Sequence, residues 1–239
     1  MAKLSPKQSE IRAREAKILD LARPMIASGG LSALSMDAIA QLLNSAKGTI
    51  YNHFPNKEEI VLALAVQAVE KRLEMFNQAV MMRGTPRARA SAIGIACELY
   101  ADNFRELFQT EILIRSDNVL EKTSIKRQDI LRNCEGRCMH VVAGVVRDAV
   151  ACGDLELHPP QSVEDIVFGL WSLVYGGLMI EVTSPSLADV GILNPRQAIR
   201  RNCNAMLDGI GWLPLFKLEQ YDRWTDTVSK HLESFLASK

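Results

Sequence analysis

Lys47-Gly48-Thr49-Ile50-Tyr51-Asn52-His53-Phe54-Pro55-Asn56-Lys57-Glu58-Glu59 is the stretch on which the reading of this chain turns. Its apolar face is Ile50 and Phe54, four positions apart and therefore stacked on one side of a helix. Lys47, Gly48, Thr49, Tyr51, Asn52 and His53 take the rest of the surface. A short helix with so narrow an apolar face needs a small core nearby and leaves a polar face outward. Asn56 then caps a longer helix, with Glu59 three residues on to complete a capping-box exchange.

Upstream, the pattern supplies that core. A helix is expected from about Gln8 to Ala27, with Ile11, Ile18, Leu21, Ala22, Met25 and Ile26 on one stripe. Gly29-Gly30 stops it, and Pro24 predicts a kink. Ser35 caps a second short helix running to about Leu43, with Asp37 in its first turn. Its Ile39 and Leu42 or Leu43 match Ile50 and Phe54. The third helix is expected from Ser45 to His53. Three short helices and then a long one, expected from Asn56 to Met82, is helix-turn-helix logic. Gly48 allows a neighbouring surface to come close. Lys47 and Thr49 can reach base edges or phosphates, and Tyr51 and His53 carry polar tips suited to phosphates. Each has a blander alternative: solvated lysines at 47 and 57, a core-closing Tyr51, a packing His53.

Met36-Asp37-Ala38-Ile39-Ala40 followed by the run from Lys47 to Glu59 resembles the TetR family of bacterial regulators, densely over residues 11–64. Beyond residue 85 the resemblance rests on helical layout and on Leu207-Asp208-Gly209-Ile210-Gly211-Trp212. It implies an all-α homodimer, with a helix-turn-helix DNA-binding domain (1–56) joined to a helical ligand-binding and dimerisation domain (57–239). It implies double-stranded DNA with a palindromic operator as one partner and a small-molecule effector as another, most simply with repression. By matching position, Ser35 caps the second helix and touches phosphate. Lys47, Gly48 and Thr49 face the groove. Tyr51, His53 and Lys57 meet phosphates. Ser45, Ala46 and Asn52 complete the expected DNA-facing set. The chain departs from the family's pattern at the turn, where Asn44 replaces glycine, Ser45 an apolar residue and Ala46 a serine cap. Asn tolerates the left-handed conformation, and Ser45 is expected to cap in place of Ala46.

In the second region, helices are expected at 87–115 with a break near Asn103, then at 120–152, 161–183, 195–210 and 220–237. A loop runs from Thr183 through Pro185 to Pro195. The uncharged run Ile166–Ile180 is apolar almost all round, so it must be covered on two sides. Trp171, Val174, Tyr175 and Leu178 form the stripe expected at a dimer interface, with Gly176-Gly177 permitting close approach. The alternative is a central helix of a monomer. Pocket residues for an effector cannot be ranked from the sequence.

The totals exclude more than they identify. The chain has 239 residues, 48% of them apolar, which supports a core and not a disordered chain. Twenty-eight Lys and Arg balance 28 Asp and Glu, so net charge announces no partner. Residues 1–23 hold six cations (Lys3, Lys7, Arg12, Arg14, Lys17, Arg23) against three carboxylates. That basic end is either solvated or an arm along a groove. Five cysteines without CxxC spacing fit reduced thiols. Cys134 and Cys138, four apart, read as small apolar residues more naturally than as a metal or redox site. There is no recognisable nucleophile–base arrangement or metal motif, so neither an enzyme nor a cofactor is expected. No signal-peptide core precedes the first helix, and the 15-residue run falls short of the roughly 20 that span a bilayer. A cytoplasmic protein without a membrane partner is expected.

Overall fold

The computed structural model describes residues 5–116, 119–184 and 186–238; Lys3 and Pro185 lie outside them. Among the described residues ten α-helices follow one another: α1 (Pro6–Ala33), α2 (Met36–Leu42), α3 (Lys47–His53), α4 (Lys57–Val80), α5 (Pro86–Asn103), α6 (Arg105–Ser116), α7 (Ile125–Cys152), α8 (Val163–Thr183), α9 (Pro195–Gly209) and α10 (Leu218–Ala237). Single 3₁₀ turns stand at Leu120–Lys122 and Ala188–Val190. No strand occurs among the described residues, and the all-α expectation holds. The chain divides into two compact units, Met1–Glu70 with Phe104–Cys134, and Lys71–Asn103 with Glu135–Lys239. The helix-turn-helix of residues 1–56 thus belongs to a larger unit that also takes in α6 and the start of α7.

In the first unit α1 packs against α2, α3 and α6. Ser5 opens α1 with a full capping box, its Oγ accepting from the Gln8 N–H while Gln8 accepts from the Ser5 N–H. The buried stripe is Ile18, Leu19, Ala22 and Ile26. Ile11, expected on it, is solvent-exposed, so the core begins a turn later. Pro24 stays inside the helix on its exposed side, where water can take up the carbonyl it leaves free. The break falls instead at Gly29 (φ −165°, ψ 26°) and Gly30 (φ 63°, ψ −153°), the latter in a region that glycine alone enters readily. Ile39 of α2, Ile50 of α3 and Phe54 at the C-cap of α3 are fully buried. At about 1.5–3 kcal/mol for each such side chain, these residues hold the three short helices together. Of the two leucines, Leu42 points away, 60% exposed, and Leu43 is half-buried.

In the second unit α5 packs against α8 and α10, and α8 against α9. The break between α5 and α6 comes at Asn103, whose side-chain amide turns back to the Leu99 carbonyl. Arg87 is a buried hub. It donates to the carbonyls of Trp212 and Asn204 and to Asn204 Oδ1, and it meets Asp208 at 2.6 Å. The start of α5, the end of α9 and the turn after it are thereby tied to one guanidinium. Along α9, Arg200 pairs with Glu98, and Arg196 with both Asp102 and Glu181. These carboxylates hold the Arg196 guanidinium more firmly protonated than usual, the Asp102 hydrogen bond first among them.

α8 is a strongly apolar helix of which little is buried within its own chain. It runs 21 residues and by length and composition alone is long and apolar enough to cross a membrane, with Glu164, Asp165 and Glu181 flanking the 15-residue uncharged run Ile166–Ile180. Ser162 and Asp165 box its N-terminus, and Glu181 near its end pairs with Arg196 of α9. The expected stripe splits. Leu178 is 1% exposed and already spent inside its own chain. Val174 faces α5 beside Gly94, and the Tyr175 ring lies 5.8 Å from the Arg72 guanidinium. Trp171 packs between Phe168 and Tyr175. The close approach at Gly177 is made to α9: a Cβ there would stand 2.5 Å from Ile199. The outward apolar surface is carried by Phe168 and Ile180, 63% and 51% exposed.

Candidate nucleic-acid interface

The turn between α2 and α3 sets the geometry of the first unit's polar face. Asn44 stands at φ 47°, the left-handed conformation expected of it. The Ser45 N–H reaches the Ala40 carbonyl and the Asn44 N–H the Gln41 carbonyl, the paired bonds of a Schellman turn. Ser45 does not cap α3 as expected. Its hydroxyl donates to the Leu43 carbonyl instead, and Ala46 occupies the cap position with no side-chain bond. The reason is the turn itself: with Ser45 engaged in the closing bond of α2, α3 begins at Lys47. Ser35 does cap α2, accepting from the Ala38 N–H.

α3 then separates its residues cleanly. Ile50 is 0% exposed, while Ala46, Lys47, Gly48, Tyr51 and Asn52 are all open to solvent and Thr49 is half-open. Lys47 donates to Asp37 of α2, 2.7 Å from Oδ1, and lies 5.8 Å from the Tyr51 ring centroid. The Asp37 hydrogen bond raises the lysine's pKa further, so its charge is assured at any physiological pH. Gly48 has no reason within the chain to be glycine. A Cβ there would meet nothing within 4 Å, and its φ is not in the positive range. Glycine in a helix is disfavoured by up to about 1 kcal/mol against alanine. A bare backbone on an exposed face of this kind suits close approach by another molecule.

Two expected contacts are partly committed elsewhere. Lys57 donates to the Leu31 carbonyl at 3.0 Å, fastening the start of α4 to the segment before α2. His53, at the end of α3, is half-buried with Nδ1 3.8 Å from Glu15 of α1. Behind α3 stand residues that the sequence reading missed. Arg127 of α7 lies over the Phe54 ring at 4.8 Å, with Nε 2.8 Å from Glu59 and a terminal nitrogen 3.8 Å from Glu15. Asn56 caps α4 as expected, accepting from the Glu59 N–H. The Glu59 carboxylate does not close the box. It accepts from the Ser124 N–H at 2.6 Å instead. No local signal could have revealed these pairs, since their partners lie 65 or more positions apart.

The surface thus offers a cation, two hydroxyls, an amide and a bare glycine on one rigid helix face, with basic residues Lys7, Arg12, Arg14 and Lys17 exposed on α1. That is the inventory for phosphate and base-edge contacts. Among the described residues no group of three or more His, Cys, Asp or Glu is placed to hold a metal ion.

The chain is similar to known regulatory proteins. The sequence profile of bacterial regulatory proteins of the tetR family matches residues 18–64. The HTH-type transcriptional regulator UidR of Escherichia coli K12 is 32% identical over 73 residues, 30% of this chain and 37% of that protein. The HTH-type transcriptional repressor KstR of Mycolicibacterium smegmatis is 31% identical over 78 residues, 33% and 38% of the two chains. The chain therefore matches less than half the length of these curated relatives. Over the whole fold, the TetR family transcriptional regulator PfmR of Thermus thermophilus superposes with a TM-score of 0.60 at 19% identity, covering 80% of this chain and 97% of that one.

Proposed function

As the chain belongs to the tetR family of bacterial regulatory proteins, we propose that it is a transcriptional regulator, not an enzyme, whose homodimer binds a palindromic operator and is released by a small-molecule effector. The observation that carries the reading is the split of α3. Ile50 and Phe54 are buried completely, while Lys47, Gly48, Tyr51 and Asn52 stand exposed on the opposite face, with a glycine that nothing in the chain requires. Ser35, Thr49 and His53 flank that face. Ser45 and Ala46 border it through backbone rather than through a cap, and Lys57 braces α4. A helix so built enters a major groove with its first residues leading.

Dimerisation is supported by α8. Phe168 and Ile180 are large apolar side chains left mostly exposed on this helix, 63% and 51%. Phe168, Trp171 and Tyr175, with Ile180, make the face for a second copy; Val174 and Leu178 support it from within. Two copies of α3 related by a two-fold axis read a palindrome. Repression is the sign of control carried by the name of the KstR relative. The effector acts by shifting the population away from states whose two α3 helices match the operator spacing. The protein works in the cytoplasm, beside its DNA.

A footprint of the purified protein on the DNA flanking its own gene tests this. Protection of two inverted half-sites about one helical turn apart is expected, with binding at least about a hundredfold tighter than to a random duplex at equal salt. Equal binding to both duplexes overturns the reading.

A further inference from the structure

Resting on the assignment of α3 as the reading helix, we infer that Arg127 is a positioning residue for it, and that Leu120–Arg127 forms a clamp fixing α3 within its unit. The segment lies far from the helix-turn-helix in sequence, yet four of its groups hold the α3–α4 junction. The Lys122 carbonyl accepts from the Asn56 amide at 2.9 Å. Lys122 Nζ stands 3.5 Å from Glu58. The Ser124 N–H donates to Glu59. Arg127 does three things at once, covering the Phe54 ring, pairing with Glu59 and reaching Glu15.

The chemistry explains why an arginine stands here. Glu59 has only 6% of its side chain exposed and needs a counter-charge. The flat guanidinium can lie on an aromatic face while its edge serves a carboxylate, which a lysine ammonium cannot do. Phe54 is the residue at which α3 ends, and Glu15 also stands 3.8 Å from His53, the last residue of α3. Through these contacts Arg127 fixes where α3 stops relative to α1 and α4. Base readout demands a placement within a fraction of an ångström, whereas phosphate attraction does not. A loosened clamp therefore costs selectivity before it costs attraction to DNA.

The test compares wild type, Arg127→Met and the double variant Arg127→Met/Glu59→Gln. Methionine keeps a stem over Phe54 and removes the charge. The double variant also removes the orphaned carboxylate, so it folds where the single variant fails. Anisotropy titrations use the footprinted duplex and a random duplex of equal length, and amide hydrogen exchange is followed across residues 47–54. The expected result is a loss of at least about tenfold in affinity for the footprinted duplex, with a change within about twofold for the random one. Exchange in α3 rises in both variants, while exchange in α8–α10 stays put. A merely structural arginine would lower both affinities together and leave their ratio alone. Wild-type selectivity and wild-type α3 exchange in the double variant overturn the inference. If wild type itself shows no preferred duplex, the regulator reading fails, and α3 exchange alone still decides the clamp.

Discussion

Replacing Gly48 by alanine separates what the fold wants from what the function wants. Gly48 is the second residue of α3, and a Cβ added there meets nothing within 4 Å of its own chain. Alanine is favoured over glycine by at most about 0.8–1 kcal/mol in a helix, less in the first turn. For a chain of this size the melting temperature should therefore hold or rise, by no more than about 2–4 °C. On the proposed docking of α3, the same methyl group would stand in the gap between helix backbone and groove. Overpacking a closely fitted contact costs about 1–3 kcal/mol, and a dimer meets the cost twice. The expected result is at least a tenfold rise in Kd for the footprinted operator, about 1.4 kcal/mol or more. Calorimetry or thermal denaturation reads the first effect and anisotropy the second, on the same preparation. Unchanged operator affinity with a raised melting temperature would refute the argument, because it would leave the glycine without a purpose inside or outside the chain.

Lys47→Gln should lower the slope of log K against log salt by about 0.9 per protomer, since one phosphate-neutralising charge is lost from each copy; an unchanged slope would place Lys47 off the phosphates, bound to Asp37 alone. Phe168→Glu puts a charge on the most exposed large apolar residue of α8, and sedimentation equilibrium should show monomers where wild type shows dimers; persistence of the dimer would remove this face from the interface. Arg87→Met removes a donor from two backbone carbonyls and the counter-charge of Asp208 and should cost about 3 kcal/mol in urea unfolding, whereas a loss below about 1 kcal/mol would mean that water replaces the guanidinium readily.

Helix order was legible because its signals are local. Ser35 and Asn56 act as the caps that their side chains suggest, Asn103 breaks the helix where it stands, and Asn44 takes the left-handed turn. The candidate site was legible in its outer face for the same reason: Ile50 and Phe54, four apart, fix which side of α3 is hidden. What could not be read depends on distant partners. Glu59 looks like a capping-box residue until Ser124 and Arg127 take its carboxylate. Leu178 looks like an interface residue because a helix apolar on every side does not declare which side its own core claims. Ser45 looks like a cap until the closing bond of α2 uses its backbone. For Glu59 and Leu178 residues far along the chain decide between the local options, and for Ser45 the closing turn of α2 does.

The exposed surface at Phe168 and Ile180 has a consequence for dosage. A partner that covers this face stabilises the folded chain by mass action, so stability and assembly rise together with concentration. If this face carries the proposed second copy, then below the dissociation constant of the pair the amount of dimer grows as the square of the amount of chain. Occupancy of a two-fold site then answers more steeply than linearly to expression, and halving the number of chains cuts it about fourfold. A regulator acting on its own promoter would gain a sharp set point from two apolar side chains left in water.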